Sequence, residues 1–115
     1  MPFLSITSNA DIFPEDIAPL LSEGAAICCE VLGKPADYMQ TAFNAAASMT
    51  MGSRQGPCVL GEVRSIGLPG DSIQLLSEKL TVLLTVRLQV SAENIYLVFQ
   101  DMPRDQWAWN GKTFG

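Results

Sequence analysis

The sequence contains no histidine and three cysteines, so few of its groups could accept a proton near neutral pH. The absence of histidine excludes Ser–His and Cys–His catalysis and most zinc sites. Acid–base chemistry would then need a carboxylate with a raised pKa, a thiolate, a lysine with a lowered pKa, or the N-terminal amine. Nothing in the sequence suggests a cofactor or a metal.

Pro2 is one candidate base, because methionine is generally removed before a small residue and the chain would then begin with a secondary amine. An α-amino group titrates near pH 8, and burial or a nearby cation lowers its pKa. A fall of about one to two units would leave the amine largely neutral at pH 7. The hypothesis needs Met1 to be absent, since the nitrogen of Pro2 is otherwise an amide. A proline at position 2 is common, so Pro2 alone carries little weight.

Cys28, Cys29 and Cys58 are the cysteines, and their odd number argues against a disulfide framework. Cys28 and Cys29 are neighbours within a helical pattern. We therefore expect both to be reduced core residues.

The amino-acid composition argues against some partners, namely nucleic acids and membranes, and favours others, namely further copies of the chain. The net charge is −5 and the seven Lys/Arg residues are scattered, which argues against nucleic-acid binding. Apolar runs such as residues 80–84 are far shorter than the roughly 20 residues of a membrane span. The first residues lack the basic start and long apolar region of a secretory signal, so we expect a cytoplasmic protein without a membrane partner. Only 17% of the residues are charged, which favours an oligomer in so short a chain.

The pattern of apolar residues predicts two β-α-β units within one domain of residues 1–115. Strands are predicted over residues 2–8, 38–44, 58–66 and 94–100, and helices over about 19–32 and 72–89. The two units, residues 2–44 and 58–100, predict an α+β fold with a four-stranded sheet and two helices on one face. The other face would need a cover, which we expect to be another subunit.

Local signals set the predicted helix ends. Pro19 is tolerated in a first turn and so predicts the start of the first helix, and Gly33 predicts its end. Asp71 and Gln74 predict a capped start for the second helix.

Short motifs extend along the whole chain in a specific order and spacing. They are Pro2-Phe3-Leu4, Gly33-Lys34-Pro35-Ala36-Asp37, Pro57-Cys58, Ser65-Ile66-Gly67, Leu83-Leu84, Arg87-Leu88, Ile95-Tyr96, Asp101-Met102, Trp109-Asn110 and Thr113-Phe114. Together they resemble the macrophage migration inhibitory factor family of the tautomerase superfamily, which includes D-dopachrome tautomerase.

This resemblance implies a homotrimer in which three sheets form a barrel with the helices outside. It implies a cofactor-independent isomerase with three sites at the subunit interfaces. Pro2 would be the catalytic base that interconverts keto and enol forms of phenylpyruvate-like acids, with dopachrome-type substrates also in range.

The resemblance assigns roles to three further residues. Lys34 would hold a substrate carboxylate or enolate oxygen and lower the pKa of Pro2, although a cation at a helix C-terminus also has a purely structural use. Ile66 would offer its backbone N–H to the substrate. Tyr96 would come from the neighbouring subunit, with a half-buried strand tyrosine as the structural alternative.

Aromatic residues at matching positions would form the pocket wall, or would pack a trimer interface, or both. These residues are Phe3, Tyr38, Trp109 and Phe114.

Three departures from the family pattern limit what can be carried over. Val98 stands where the family has an asparagine, so the pocket wall is more apolar. Arg64 replaces a histidine and adds a cation that would favour acidic substrates, although a solvent-facing arginine fits equally well. Gly61 interrupts the family's Cys-x-x-Cys after Cys58, so thiol–disulfide activity is not expected.

The sequence thus favours a phenylpyruvate-type tautomerase. The alternative is a cytokine-like interaction protein with a receptor-like partner, a role that would require export without a signal sequence. A third interpretation is a protein of the same fold without activity on the usual substrates.

Overall fold

The computed structural model describes residues 2–46 and 48–115. The main elements are β1 (Pro2–Ser8), α1 (Pro14–Leu32), β2 (Gln40–Ala45), β3 (Val59–Ile66), α2 (Ser72–Leu88) and β4 (Ile95–Met102). Two short strands, β5 (Ala108–Trp109) and β6 (Lys112–Thr113), follow near the C-terminus. Single turns of 3-10 helix occupy Ala36–Tyr38, Ala92–Asn94 and Arg104–Gln106.

The four long strands form one sheet in the order β2-β1-β3-β4. The outer pairs are parallel, as each β-α-β crossover requires, and the central pair β1–β3 is antiparallel. The predicted fold class is confirmed.

The helices cover one face of this sheet. Leu4, Ile6 and Val63 point toward the helices from alternate strand positions and are almost fully buried. From α2, the side chains of Leu76, Leu80, Leu84 and Leu88 form one buried stripe at a spacing of four residues. Burial of a leucine side chain is worth roughly 2 kcal/mol, so this apolar layer is the main source of stability.

The opposite face of the sheet is open in the single chain. Phe3 and Glu62 point toward it, and on β4 the side chains of Tyr96 and Val98 are 63% and 50% exposed. Large apolar side chains exposed on one face of a sheet are typical of an interface between protein chains.

The first helix begins earlier than predicted. It starts at Pro14, where proline occupies the first turn and its missing N–H costs nothing, and Pro19 lies inside the helix. Glu15 and Asp16 in the first turn favour this start through the helix dipole. Gly33 ends the helix in a left-handed conformation with φ of 65°, as predicted.

Two other local predictions were wrong. Tyr38 lies on a 3-10 turn closed by the bond from Met39 N to Ala36 O at 3.1 Å, so β2 begins at Gln40. Asp71 makes no side-chain cap, because its own backbone is already helical. Gln74 Nε2 instead donates to Glu78 Oε1 at 3.1 Å.

The three cysteines are free thiols. Cys28 is fully buried against the core, whereas Cys29 is half-buried. Burial, with a smaller contribution from Cys29, raises the pKa of Cys28 to about 12 and keeps it a neutral thiol. Over residues 2–46 and 48–115, no helix is both long and apolar enough to cross a membrane.

Candidate functional site

A pocket of about 400 Å³ lies at the end of the sheet where β1 begins. Three segments form it: the first residue of β1, the turn that leads into β2, and the C-terminal hairpin. Its lining residues are Pro2, Asp37, Tyr38, Met39, Gln40, Trp107, Ala108 and Trp109. Pro2 itself is almost fully buried, so any base at this position is largely shielded from solvent in the single chain.

Of the described aromatic residues at this end of the sheet, Tyr38, Trp107 and Trp109 line the pocket, whereas Phe3 does not and meets only the ring of Trp107. The rings of Tyr38 and Trp109 meet edge to face, with centroids 5.8 Å apart and an interplanar angle of 85°. Those of Phe3 and Trp107 are 5.9 Å apart at 61°. Edge-to-face pairs of this kind hold each other in place and offer apolar surface to a planar ligand.

A cation lies close to this end of the sheet. Lys34 follows the glycine that ends α1, and its Nζ donates to Ile66 O at 3.0 Å. Ile66 comes directly after Ser65, which is the register partner of Pro2 on β3. The ammonium group and Pro2 are therefore brought to adjacent strand ends by two different elements.

The hairpin that carries Trp109 is a tight turn. Asn110 and Gly111 both have positive φ, 52° and 82°, as a type I′ turn requires. Phe114 supports the hairpin through its backbone N–H, which donates to Trp107 O at 3.1 Å and to Arg104 O at 3.2 Å. Its side chain does not line the pocket formed by the described residues.

Arg64 lies on the open face of the sheet. Its guanidinium is 5.6 Å from the centre of the Phe3 ring, a cation–π contact. Phe3 and Arg64 are register partners on β1 and β3, so the sheet itself brings them together.

Tyr96 and Val98 are not brought to Pro2 within one chain. Tyr96 pairs with Leu60, while Pro2 pairs with Ser65. Five residues of strand separate these positions, roughly 17 Å. Tyr96 borders a different pocket of about 570 Å³, together with residues 51–54.

Trp107 was missed as a site residue by sequence reasoning. It lies two residues before Trp109, and this spacing in extended chain places both rings on the same side. The two-residue spacing from Trp109 could therefore have identified Trp107 as a second ring at the site.

Known proteins match this chain over its whole length. The sequence profile described as macrophage migration inhibitory factor (MIF) matches residues 1–115. The chain belongs to the MIF family. The macrophage migration inhibitory factor of Meriones unguiculatus is 33% identical over 117 residues, with 99% of each chain covered.

Solved MIF structures share the fold. The MIF-like protein of Entamoeba histolytica superimposes with a TM-score of 0.92 at 28% identity, covering 98% of each chain. The MIF homologue of Prochlorococcus marinus gives 0.90 at 33% identity, covering 98% of this chain and 99% of that one. Members of the MIF superfamily are in general tautomerases, and the family and fold of this chain are consistent with a tautomerase or with a cytokine-like role.

Proposed function

We propose that this chain is a keto–enol tautomerase of aryl pyruvate-type acids, with the amine of Pro2 as the base once Met1 is removed. The observation that carries the proposal is the buried Pro2 beside an aromatic pocket, with the Lys34 ammonium at the adjacent strand end. No metal or cofactor is needed for this reaction.

The proton transfers balance within the pocket. The neutral amine of Pro2 takes a proton from the carbon next to the substrate carbonyl, and the electrons of the broken C–H bond form a C=C bond. The carbonyl electrons move to oxygen, which takes a proton from water and completes the enol, while the protonated amine of Pro2 returns its proton to water and is neutral again. The same steps in reverse return the keto form.

Lys34 supports both protonation and binding in this scheme. Its positive charge disfavours a second cation on Pro2 and so favours the neutral amine. It also attracts the substrate carboxylate and the negative charge that develops on the enolate oxygen. Ile66 offers a backbone N–H to the same end of the substrate.

Aromatic substrates fit the aromatic side chains that line the pocket. Tyr38 and Trp109 meet edge to face at the pocket, and a planar aryl ring packs against such surfaces while excluding water. Arg64, held over Phe3, adds positive charge toward the open face and favours acids over neutral ketones.

The proposal includes a homotrimer. Tyr96 and Val98 lie on the open sheet face, away from Pro2 of their own chain. A neighbouring chain that covers this face would supply both residues to the site, and the apolar Val98 would make that wall less polar.

A Pro2→Gly variant tests the base. We expect kcat/KM for phenylpyruvate to fall by about 100-fold or more, the usual contribution of a positioned base, while the trimer persists in light scattering. Full activity of this variant would show that Pro2 is not the base.

The mass of the unmodified protein is the necessary control. We expect the intact mass to lack Met1. A mass that matches all 115 residues in an active preparation would contradict the mechanism, because the Pro2 nitrogen would be an amide.

A further inference from the structure

A compact turn connects Lys34 to the end of β4. The turn consists of Ile66, Gly67 and Leu68, at the end of β3. The carbonyl oxygen of Ile66 accepts from Lys34 Nζ at 3.0 Å and from Ser65 Oγ at 3.2 Å. This one carbonyl therefore fixes where the ammonium group lies.

Asp101 holds the other side of the same turn. Its Oδ1 accepts from the backbone N–H of Gly67 at 3.1 Å and from that of Leu68 at 3.2 Å. Two successive N–H groups converge on one oxygen because Gly67 has φ of 72°, a left-handed conformation that favours glycine. Hydrogen bonds to a carboxylate are stronger than those to a neutral acceptor.

The turn also lies close to the ammonium group. A Cβ atom on Gly67 would lie 3.5 Å from Lys34 Nζ. A change in the turn would therefore move both the carbonyl that binds the ammonium and the backbone beside it. Lys34 carries three N–H donors, and one of them is committed to Ile66 O.

We infer that Asp101 is a positioning residue for Lys34: it fixes the 66–68 turn and thereby aims the ammonium group at the acidic group of the substrate. This inference rests on the proposed function for its substrate, but its structural part stands separately. Asp101 acts here through the position of its acceptor oxygen, so an amide oxygen at the same place would keep both hydrogen bonds in weaker form.

The experiment compares three variants of the full chain with phenylpyruvate. Asp101→Ala removes the acceptor, whereas Asp101→Asn keeps a carbonyl oxygen at the same place. Asp71→Ala is the matched control, since it removes an exposed aspartate that makes no side-chain cap. Asp101 is itself exposed, so all three variants should fold.

We expect Asp101→Ala to raise KM by about tenfold with kcat changed less than about threefold, the loss expected when two hydrogen bonds that position the turn are removed. Asp101→Asn should restore KM to within about threefold of wild type, and Asp71→Ala should leave it unchanged. An unchanged KM in Asp101→Ala, or an equal defect in Asp101→Asn, would overturn the inference.

Amide hydrogen exchange provides a readout that does not depend on activity. We expect the amides of Gly67 and Leu68 to exchange about tenfold faster in Asp101→Ala than in Asp101→Asn, and the Lys34 side-chain NMR signal to shift only in the alanine variant. Unchanged exchange and an unmoved Lys34 signal would refute the positioning role. An inactive wild-type protein would refute the proposed function alone, because exchange still tests the turn.

Discussion

At the scale of single residues, Gly61, which interrupts the Cys-x-x-Cys pattern, faces the side chain of Leu97. It lies in the middle of β3, where a Cβ atom would approach Leu97 Cδ2 to 2.6 Å. Leu97 packs against the core from β4 and occupies the space that a side chain at position 61 would need. The glycine and the leucine therefore form a matched pair.

Gly61→Ala tests this match, because the substitution has two opposing effects on the free energy of unfolding. Replacing a strand glycine by alanine stabilises by about 0.5–1 kcal/mol through backbone entropy, whereas overpacking a core costs about 1–3 kcal/mol. We expect the clash to win and Gly61→Ala to lower the free energy of unfolding by about 1 kcal/mol in urea titrations.

A double-mutant cycle supplies the control for that prediction. In a Leu97→Ala background the space is open, so adding Gly61→Ala should be neutral or stabilising. An equal cost of Gly61→Ala in both backgrounds would show that the two side chains do not compete for space.

Several residues of the candidate site could be predicted from the sequence and others could not. Pro2, Lys34 and Tyr38 were predicted from motif order, and the structure brings them to one end of the sheet. Asp101 and Ser65 belong to conspicuous motifs but received no predicted role, because hydrogen bonds to a turn depend on strand register. Register brings Ser65 beside Asp101 across β3 and β4, and a linear sequence does not display it.

At the scale of elements, the C-terminal hairpin is the most consequential feature that the pattern did not predict. Strands of two residues leave too short a run for alternation to be recognised. The Asn110-Gly111 pair was the usable signal, since it favours a type I′ turn. The predicted start of α1 was wrong for a different reason: Pro19 is typical of a first turn, but Pro14 supplies an earlier and sufficient start.

Gly111→Ala tests whether this hairpin serves the pocket. A Cβ at a φ of 82° costs about 1–2 kcal/mol, so the hairpin should loosen and Trp109 should leave Tyr38 more often. We expect KM for phenylpyruvate to rise by about two- to tenfold, as for loss of an aromatic pair, with a smaller effect on kcat.

Gly70→Ala is the matched control for the hairpin. Gly70 is exposed, and a Cβ atom added to it would have no neighbouring atom within 4 Å. An equal change in KM for both variants, or no change in tryptophan fluorescence for Gly111→Ala, would contradict a role of the hairpin in the pocket.

At the scale of the whole molecule, the two faces of the sheet differ in what covers them. One face lies under α1 and α2, and the predicted layer arrangement is confirmed there. The other face carries exposed Tyr96 and Val98, and the proposed trimer would cover it. The layer arrangement and the low charge predicted such a cover, and the family resemblance predicted Tyr96 as one of its residues; the strand register adds which side chains share the open face.

Val98→Asp tests whether a neighbouring chain covers the open face of the sheet. Val98 pairs in register with Glu62, so an aspartate there places two carboxylates side by side on the open face. In a free monomer both carboxylates remain in water and repel each other only weakly, whereas burial in an interface would bring two like charges together out of water. We therefore expect the variant to fold with an unchanged circular dichroism spectrum, but to dissociate in light scattering.

Activity should follow assembly in this variant, because the proposed site takes Tyr96 from a neighbouring chain. Raising the protein concentration should restore both the trimer and the specific activity by mass action. Val82→Asp is the matched control: Val82 is 63% exposed on α2, on the helical side of the molecule. A trimeric Val98→Asp, or a Val82→Asp that dissociates as readily, would show that the open sheet face is not the interface.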